Sequence, residues 1–416
     1  MILSFAQLSS GLDRLAIRRF HANTIFHRIR VEPNISQAEI IARTGIDKSS
    51  VSSIVNTFVE LGLVERSAKK TGSGRGRPSE GLVISPTSGL LIGALVEATR
   101  IEFIACSLDG TPLATLDQPF DSTPDGLSAS IGEGFRAVIE ESGSSARVLG
   151  LGVTLPGLVN SDGLLVHVPI LGWHNVEVNA RLSATTGVPV FVGNDGNAAA
   201  MAEHMFGSCI DLDDFLFLFS GSGVGGALFL DGFIYRGAEG LAGELGHIKV
   251  VPHGRYCTCG ASGCLSAYLI ESALIDEVHR LGGERPGRFV DILERAERGD
   301  ALVLSVLDDA GEVLGSAVSS LINIFNPPHV LLSGNLALGQ KFLENGLRRA
   351  LQRLAHPAML SRSTIRFTES ANDMLRMGGV ALALDGVTSL GATHVLPVPA
   401  TSGSSGINPV PPGAAK

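Results

Sequence analysis

The stretch Gly243-Glu-Leu-Gly-His247, followed by Cys257-Thr-Cys-Gly-Ala-Ser-Gly-Cys264, decides how the rest of the chain is read. His247, Cys257, Cys259 and Cys264 fall within eighteen residues, and three of the chain's five cysteines are among them. Thiolate sulfur and imidazole nitrogen are the ligands tetrahedral zinc prefers, and four of them close its shell. A closed shell leaves no position for an activated water, so such a Zn2+ is structural: it pins a loop. What that loop carries is then the question, and a carboxylate, Glu244, stands just before the histidine.

Outside this stretch, 416 residues give room for two or three domains. An apolar fraction of 44% with 18% charged residues describes a soluble globular protein. The apolar runs fall short of the roughly 18 residues that span a bilayer, so no membrane insertion is expected. Met1-Ile-Leu-Ser-Phe-Ala has neither the basic segment nor the long apolar run of a signal peptide. Few cysteines, mostly clustered, argue for a reducing compartment, and the expected location is cytoplasmic. Cys106 and Cys209, apart from the cluster, read as buried small residues. The net charge of −9 is unevenly shared: residues 1–80 hold 12 basic and 7 acidic side chains, the remainder 20 and 34. A basic front on an acidic body suggests that the front meets a polyanion.

That front, residues 12–85, patterns as a winged helix-turn-helix. Leu12, Leu15, Ile17, Phe20, Ile25 and Ile29 form a roughly helical stripe ending at Pro33. Ser36-Gln-Ala-Glu39 is a capping box that opens a short helix to Arg43. Gly45 supplies a tight turn, and Asp47 caps a longer helix from Lys48 to Leu61 that buries Val51, Ile54, Val55 and Phe58. Two short strands, Val64 to Arg66 and Gly81 to Ile84, flank a basic wing over 67–79. Lys48, Ser49, Ser50, Ser52, Ser53 and Asn56 suit the exposed face of a recognition helix reading base edges of a double-stranded DNA operator. Arg75 and Arg77, set apart by glycine, suit a narrow minor groove. The plainer alternative is a solvated helical pair with a loose loop.

From residue 88 apolar strand runs alternate with helices, the mark of α/β architecture. Strands are expected at 92–96, 101–108, 148–154, 188–192, 215–219, 224–230 and 330–332, and helices at 128–142, 196–206, 301–324 and 342–354. Two lobes, 88–205 and 206–395, precede a Pro-, Gly- and Ser-rich tail over 396–416 that is expected to be disordered. Trp173 reads as core packing, with a lid over the cleft as the alternative.

The motif at 243–264 resembles the signature of the ROK family (repressors, open reading frames and sugar kinases). Leu155-Pro-Gly157, Gly172-Trp173, Gly193-Asn-Asp195-x-Asn197, Ser220-Gly-Ser-Gly-Val-Gly-Gly226 and Asn326-Pro327 extend the resemblance from about 88 to 386. It implies a two-lobed actin/hexokinase-like (ribonuclease H-like) body with a sugar in its cleft. In the family's kinases the carboxylate matched by Asp195 deprotonates a sugar hydroxyl, and Asn194, Glu244 and His247 match further sugar contacts. The bland reading of Asn194-Asp195 is a strand-end turn and helix cap. Two departures follow. The family's Asp-x-Gly-x-Thr phosphate loop aligns with Leu95-Val-Glu-Ala-Thr99, where Glu97 would repel the phosphates a glycine turn cradles. Phosphoryl transfer depends on positioning and charge neutralisation, so kinase activity is not expected. Ser266 stands where the family's sugar-contacting glutamate does.

The expectation is therefore a sugar-responsive transcriptional regulator, a repressor of carbohydrate uptake or catabolism genes. It carries a structural zinc, responds to a small sugar or sugar phosphate, and works as a homodimer or homotetramer on its operator. The alternatives are a bifunctional ATP-dependent sugar kinase, and a repressor controlled by a transport-system protein partner.

Overall fold

Residues 14–67, 80–368 and 371–388 are described by a computed structural model, and the chain divides at Ser85 and Pro86 into two units. In the N-terminal unit α1 (Arg14–Val31) buries Ile25, Phe26 and Ile29. Its stripe does not run the whole helix: Ile17 and Phe20 are exposed, because the small core of this unit reaches only the last turns. Leu12, and the side chain of Leu15, lie outside the described residues.

Helix α2 (Gln37–Thr44) starts at the expected capping box. Ser36 Oγ accepts from Glu39 N at 3.3 Å, and Glu39 Oε2 accepts from Ser36 N at 2.8 Å. Gly45, at φ +68°, turns the chain. Asp47 then caps α3 (Lys48–Glu60) through Ser50 N at 2.9 Å. Val51, Ile54, Val55 and Phe58 are buried, and Phe58 meets Phe26 edge to face at 6.2 Å. Strands β1 (Val64–Ser67) and β2 (Gly81–Ile84) pair antiparallel, Val64 against Ile84. The wing between them, with Arg75 and Arg77, lies outside the described residues, as does the C-terminal tail.

The larger unit, Pro86–Val387, contains two five-stranded sheets of one topology. The first has β3 (Leu90–Val96), β4 (Arg100–Ser107) and β5 (Pro112–Pro119) as an antiparallel meander, then α4 (Pro124–Glu141) and β6 (Val148–Leu155). A small three-stranded sheet, β7 (Leu158–Val159), β8 (Leu165–Val168) and β9 (Trp173–Val176), and α5 (Asn179–Thr186) intervene before β10 (Val190–Asn194) and α6 (Asp195–Phe206). β6 and β10 run parallel to β3, giving the order β10-β6-β3-β4-β5. Strands β3 and β6 are apolar almost throughout, as strands buried on both faces must be.

The second sheet repeats the plan. β11 (Phe215–Ser220), β12 (Val224–Leu230) and β13 (Phe233–Ile234) form its meander. After the cysteine loop come α7 (Ser266–Leu269), α8 (Glu271–Arg280), α9 (Phe289–Glu297), α10 (Ala301–Phe325), β14 (His329–Gly334), α11 (Asn335–Leu338), α12 (Gln340–Leu354), α13 (Pro357–Leu360) and β15 (Thr364–Phe367). The order is β13-β12-β11-β14-β15, with β14 and β15 parallel to β11. This duplicated plan is the ribonuclease H-like body the resemblance implies. Strand pairing repeats while side chains do not, so no internal repeat is legible in the sequence.

Each sheet has its own core. Leu127, Ile131, Phe135 and Val138 of α4, with Trp173, cover the first. Val303, Leu307, Leu314 and Val318 of α10 cover the second. Trp173 is 5% exposed and its indole N–H donates to Ser122 O at 3.2 Å, so it is a core residue, as expected. Cys106 and Cys209 are buried, and burial pushes both thiols up to about 12.

The last described helix, α14 (Ala371–Thr388), returns to the first sheet. A Cβ placed on Gly152 would stand 1.8 Å from Gly379 O, and one on Gly379 would stand 2.7 Å from Gly93 Cα. Helix backbone therefore lies directly on strand backbone, with Val380, Ala383 and Val387 buried beside the contact. No helix among the described residues is long and apolar enough to cross a membrane.

Candidate ligand cleft and metal centre

Strand β10 runs two residues later than expected and ends at Asn194, so the strand itself delivers Asn194 and Asp195 to the cleft. Asn194 caps α6: its Oδ1 accepts from Asn197 N at 2.8 Å, while its Nδ2 donates to Gly157 O at 3.0 Å. The amide is thus already engaged in tying the Leu155-Pro-Gly157 turn to the helix start. Asp195 Oδ1 accepts from Gly196 N at 2.8 Å. The residue is partly buried and lines the cleft. Desolvation pushes its pKa up to about 7 against the Gly196 hydrogen bond, and the nearby Glu244 adds to the rise.

Glu244 and His247 enter from the opposite sheet's meander, just before the cysteine loop. Glu244 lines the cleft half-buried, and desolvation raises its pKa too. The two faces of the His247 ring system point to different partners: Nδ1 lies 3.6 Å from Cys257 Sγ, and Nε2 lies 3.7 Å from Glu244 Oε2. The loop that follows turns on Gly260 (φ +87°) and Gly263 (φ +76°), and is closed by Cys257 N to Ala261 O at 2.8 Å and Gly263 N to Arg255 O at 2.8 Å.

One ligand atom from each of His247, Cys257, Cys259 and Cys264 lies within 4.8 Å of the others, a cluster that can hold a metal ion. Its finer geometry tests which metal. Zinc bonds of about 2.3 Å to sulfur and 2.0–2.1 Å to nitrogen give a tetrahedron with edges of about 3.5–3.8 Å. Cys259 Sγ to Cys264 Sγ is 3.7 Å, and Cys257 Sγ to His247 Nδ1 is 3.6 Å. The donor set fits. Lys249 Nζ stands 2.6 Å from Cys264 Sγ, a cation beside three potential thiolates.

These groups line one cleft of about 1160 Å³. Ser266 borders it too, but its hydroxyl donates to Gly246 O at 2.8 Å, so it serves the loop's own backbone. Glycines 223, 225 and 226 of the β11–β12 hairpin form part of the wall. Four further lining residues escape sequence reasoning: Arg255, Tyr256, Arg280 and Arg285. Tyr256 adjoins Cys257 and was signalled only by that position. Arg255 precedes Tyr256 at the start of the cysteine loop, and Arg280 and Arg285 sit in and after α8, where nothing in the pattern separates them from ordinary surface charge.

The turn after β3 is closed by its own charges. Leu95 is buried in the strand, and Glu97 is held by Arg100 Nε at 2.5 Å. Arg100 also reaches the buried Glu102, which Arg376 of α14 engages as well.

In the N-terminal unit α3 presents Lys48, Ser49 and Ser53 exposed, with Ser50 and Ser52 partly so. Ser49 Oγ donates to Asp47, and Arg18 of α1 donates to Ser53 Oγ at 3.2 Å. Asn56 is exposed and accepts from Arg66 at 2.7 Å.

Residues 91–385 match the model of the ROK family, and residues 10–73 match that of the MarR family. The chain is 27% identical over 338 residues to the xylose repressor of Bacillus subtilis strain 168, covering 81% of this chain and 87% of the repressor. It is 31% identical over 251 residues to a glucokinase of Halalkalibacterium halodurans, covering 57% of this chain and 76% of the kinase. Among solved structures, a ROK family transcriptional regulator, a homologue of the E. coli MLC protein, superposes with a TM-score of 0.78 at 25% identity, covering 89% of this chain and 96% of that one.

Proposed function

The chain belongs to the ROK family, and from that premise we propose that it is a sugar-responsive DNA-binding regulator, a repressor of carbohydrate uptake or catabolism genes. The observation that carries this is a single pairing. A winged helix-turn-helix precedes a body whose cleft keeps Asp195, Glu244 and His247, while the turn at 95–99 is occupied by the Glu97–Arg100 ion pair.

In this reading His247 Nδ1 and the three thiolates of Cys257, Cys259 and Cys264 would hold zinc, which would supply structure only. The proton of His247 then resides on Nε2, where it faces Glu244 and a bound sugar. Glu244 and Asp195 accept hydrogen bonds from sugar hydroxyls. Asn194 contributes the one amide hydrogen and lone pair its capping role leaves over. Lys48, Ser49, Ser50 and Ser53 meet base edges and backbone of the operator, with Arg75 and Arg77 on the wing, and the body pairs as a dimer or larger assembly so that two recognition helices engage one site. A sugar acts by binding one conformer of the body better than the other. The test is operator binding in the presence of sugars and sugar phosphates. A sugar that changes DNA affinity supports the reading, and a panel with no effect overturns its central claim.

A second reading has its own support. The glucokinase relative and an Asp195 carboxyl poised near neutral pH suit a general base, so a bifunctional kinase makes a definite prediction: sugar-dependent ATP hydrolysis. The Glu97–Arg100 pair argues against it, since a carboxylate and its counterion fill the turn where phosphates would sit. A third, control by a transport-system protein, gains weight from Ser266, whose hydroxyl is engaged by Gly246. It predicts operator release by that protein with every sugar silent.

A further inference from the structure

We infer that the cleft carries a second subsite, built on the metal loop and α8, and that the effector is a neutral glycoside of more than one ring. This rests on the reading of the cleft as a sugar site and goes one step past it.

The cleft's volume of about 1160 Å³ exceeds the roughly 300–1,000 Å³ usual for small-molecule pockets. Asp195, Glu244 and His247 account for one group of its polar lining residues. A separate group comes from Arg255, Tyr256, Arg280 and Arg285, with Asp276 and Glu277 between them. Tyr256 is 90% exposed, far more than Trp173 at 5%. Its backbone is nonetheless held, by the Tyr256–Ser262 bridge and by the ligand Cys257 next to it. An aromatic ring with open faces, carried on a held backbone beside a polar cleft, is suited to stack on the apolar C–H face of a sugar ring.

The charges around it are engaged with one another: three guanidinium groups share two carboxylates, so each arginine has a partner and one net positive charge remains. Glu277 accepts from Arg255 at 2.6 Å and from Arg280 at 2.7 and 2.6 Å, and Asp276 from Arg285 at 2.6 Å. Arg255 also lies 4.7 Å over the ring of Tyr268. Paired carboxylates leave little net charge to attract a phosphate. They leave many directional groups, because each guanidinium has five N–H donors and each carboxylate several lone pairs. A charge-paired, donor-rich and acceptor-rich surface around an exposed ring matches hydroxyls on a second sugar ring.

Titration calorimetry on the full chain tests this, with glucose, xylose, maltose, cellobiose, xylobiose and glucose 6-phosphate as probes. We expect one disaccharide to bind on the order of tenfold tighter than its own monosaccharide, about the worth of one aromatic contact. Tyr256→Ala should erase that advantage and leave monosaccharide affinity within about twofold, with unchanged metal content and melting temperature. Tyr256→Phe should keep it. Disaccharides that bind no tighter than monosaccharides, or a Tyr256→Ala loss shared equally by both, overturn the second subsite alone. Tightening by glucose 6-phosphate over glucose that disappears in Arg280→Ala would make the subsite an anion site and overturn it likewise. If no sugar binds, the sugar reading itself falls.

Discussion

Replacing Asp195 by Asn should make the protein more stable, and increasingly so as the pH rises. The amide is nearly isosteric and keeps an oxygen to accept from Gly196 N, so the 2.8 Å cap contact survives. What it removes is a charge held where water is scarce. The carboxyl's pKa stands at about 7 in the fold against 3.8 ordinarily, and each unit is worth about 1.4 kcal/mol. Ionising it in place therefore costs at most about 4 to 5 kcal/mol. Water reaches the carboxylate from the cleft and screens part of this, so about 2 kcal/mol is the expected gain.

The sign follows from proton binding. Between the two pKa values the folded state holds the proton and the unfolded state has lost it, so wild-type stability falls as pH rises from about 4 to about 7, then levels. The Asn variant lacks this loss. Thermal melts of both proteins from pH 5 to 8.5, with zinc present throughout, should diverge through that window and reach a plateau of about 2–4 °C above pH 7. A variant less stable at every pH, or an offset independent of pH, would refute the reasoning. Measured beside it, loss of sugar response in the stabilised variant would identify Asp195 as a residue kept for binding at the expense of stability.

Further outcomes are specific. Cys264→Ser, at a buried position beside Lys249, should reduce bound zinc from about one per chain to well under half by elemental analysis; full occupancy would exclude the ligand set. Ser36→Ala removes the hydroxyl half of the capping box, leaving the backbone N–H of residue 36 on Glu39, and should lower stability by about 1 kcal/mol in urea titration followed by circular dichroism. Lys48→Ala should weaken operator binding evenly across sequences and reduce the slope of log K against log salt by about 1. Gly152→Ala should cost upward of about 3 kcal/mol because Gly379 O stands 1.8 Å from the new methyl. Gly223→Ala, with nothing within 4 Å, should be close to neutral.

What was legible in the chain was what is local. Ser36 and Glu39, Gly45 and Asp47 announce their structure within a few residues, because caps and turns are satisfied by neighbours. The histidine and cysteines of the metal loop are likewise close in sequence and few in type. Illegible features depend on distant partners. Ile17 and Phe20 have the spacing of a buried face, yet the unit's core stops short of them. Helix α14 carries Gly378 and Gly379 in its middle, a pair that only distant partners explain: Gly378 faces Ala198 of α6, and Gly379 lies on β3 and β6. Strands β5 and β15 lie at sheet edges and bury no side chain fully, so no apolar run declares them and the duplication of the two sheets stays hidden. At the site, Asn194 looks like a ligand contact from its motif, but whether its amide is free depends on Gly157, nearly forty residues earlier.

The backbone contact of α14 with β3 and β6 also bears on how the protein is made. Gly93 and Gly152 leave the ribosome long before Gly379, and until that helix arrives one face of their sheet lacks its cover. Folding of the earlier lobe thus waits on nearly the whole length of synthesis, a pairing of high sequence separation that slows closure and leaves apolar strands open in the interval. Nonsense or frameshift changes near residue 370 should therefore damage the lobe furthest from them along the chain, and a nascent protein stalled there is the form a chaperone would be expected to hold.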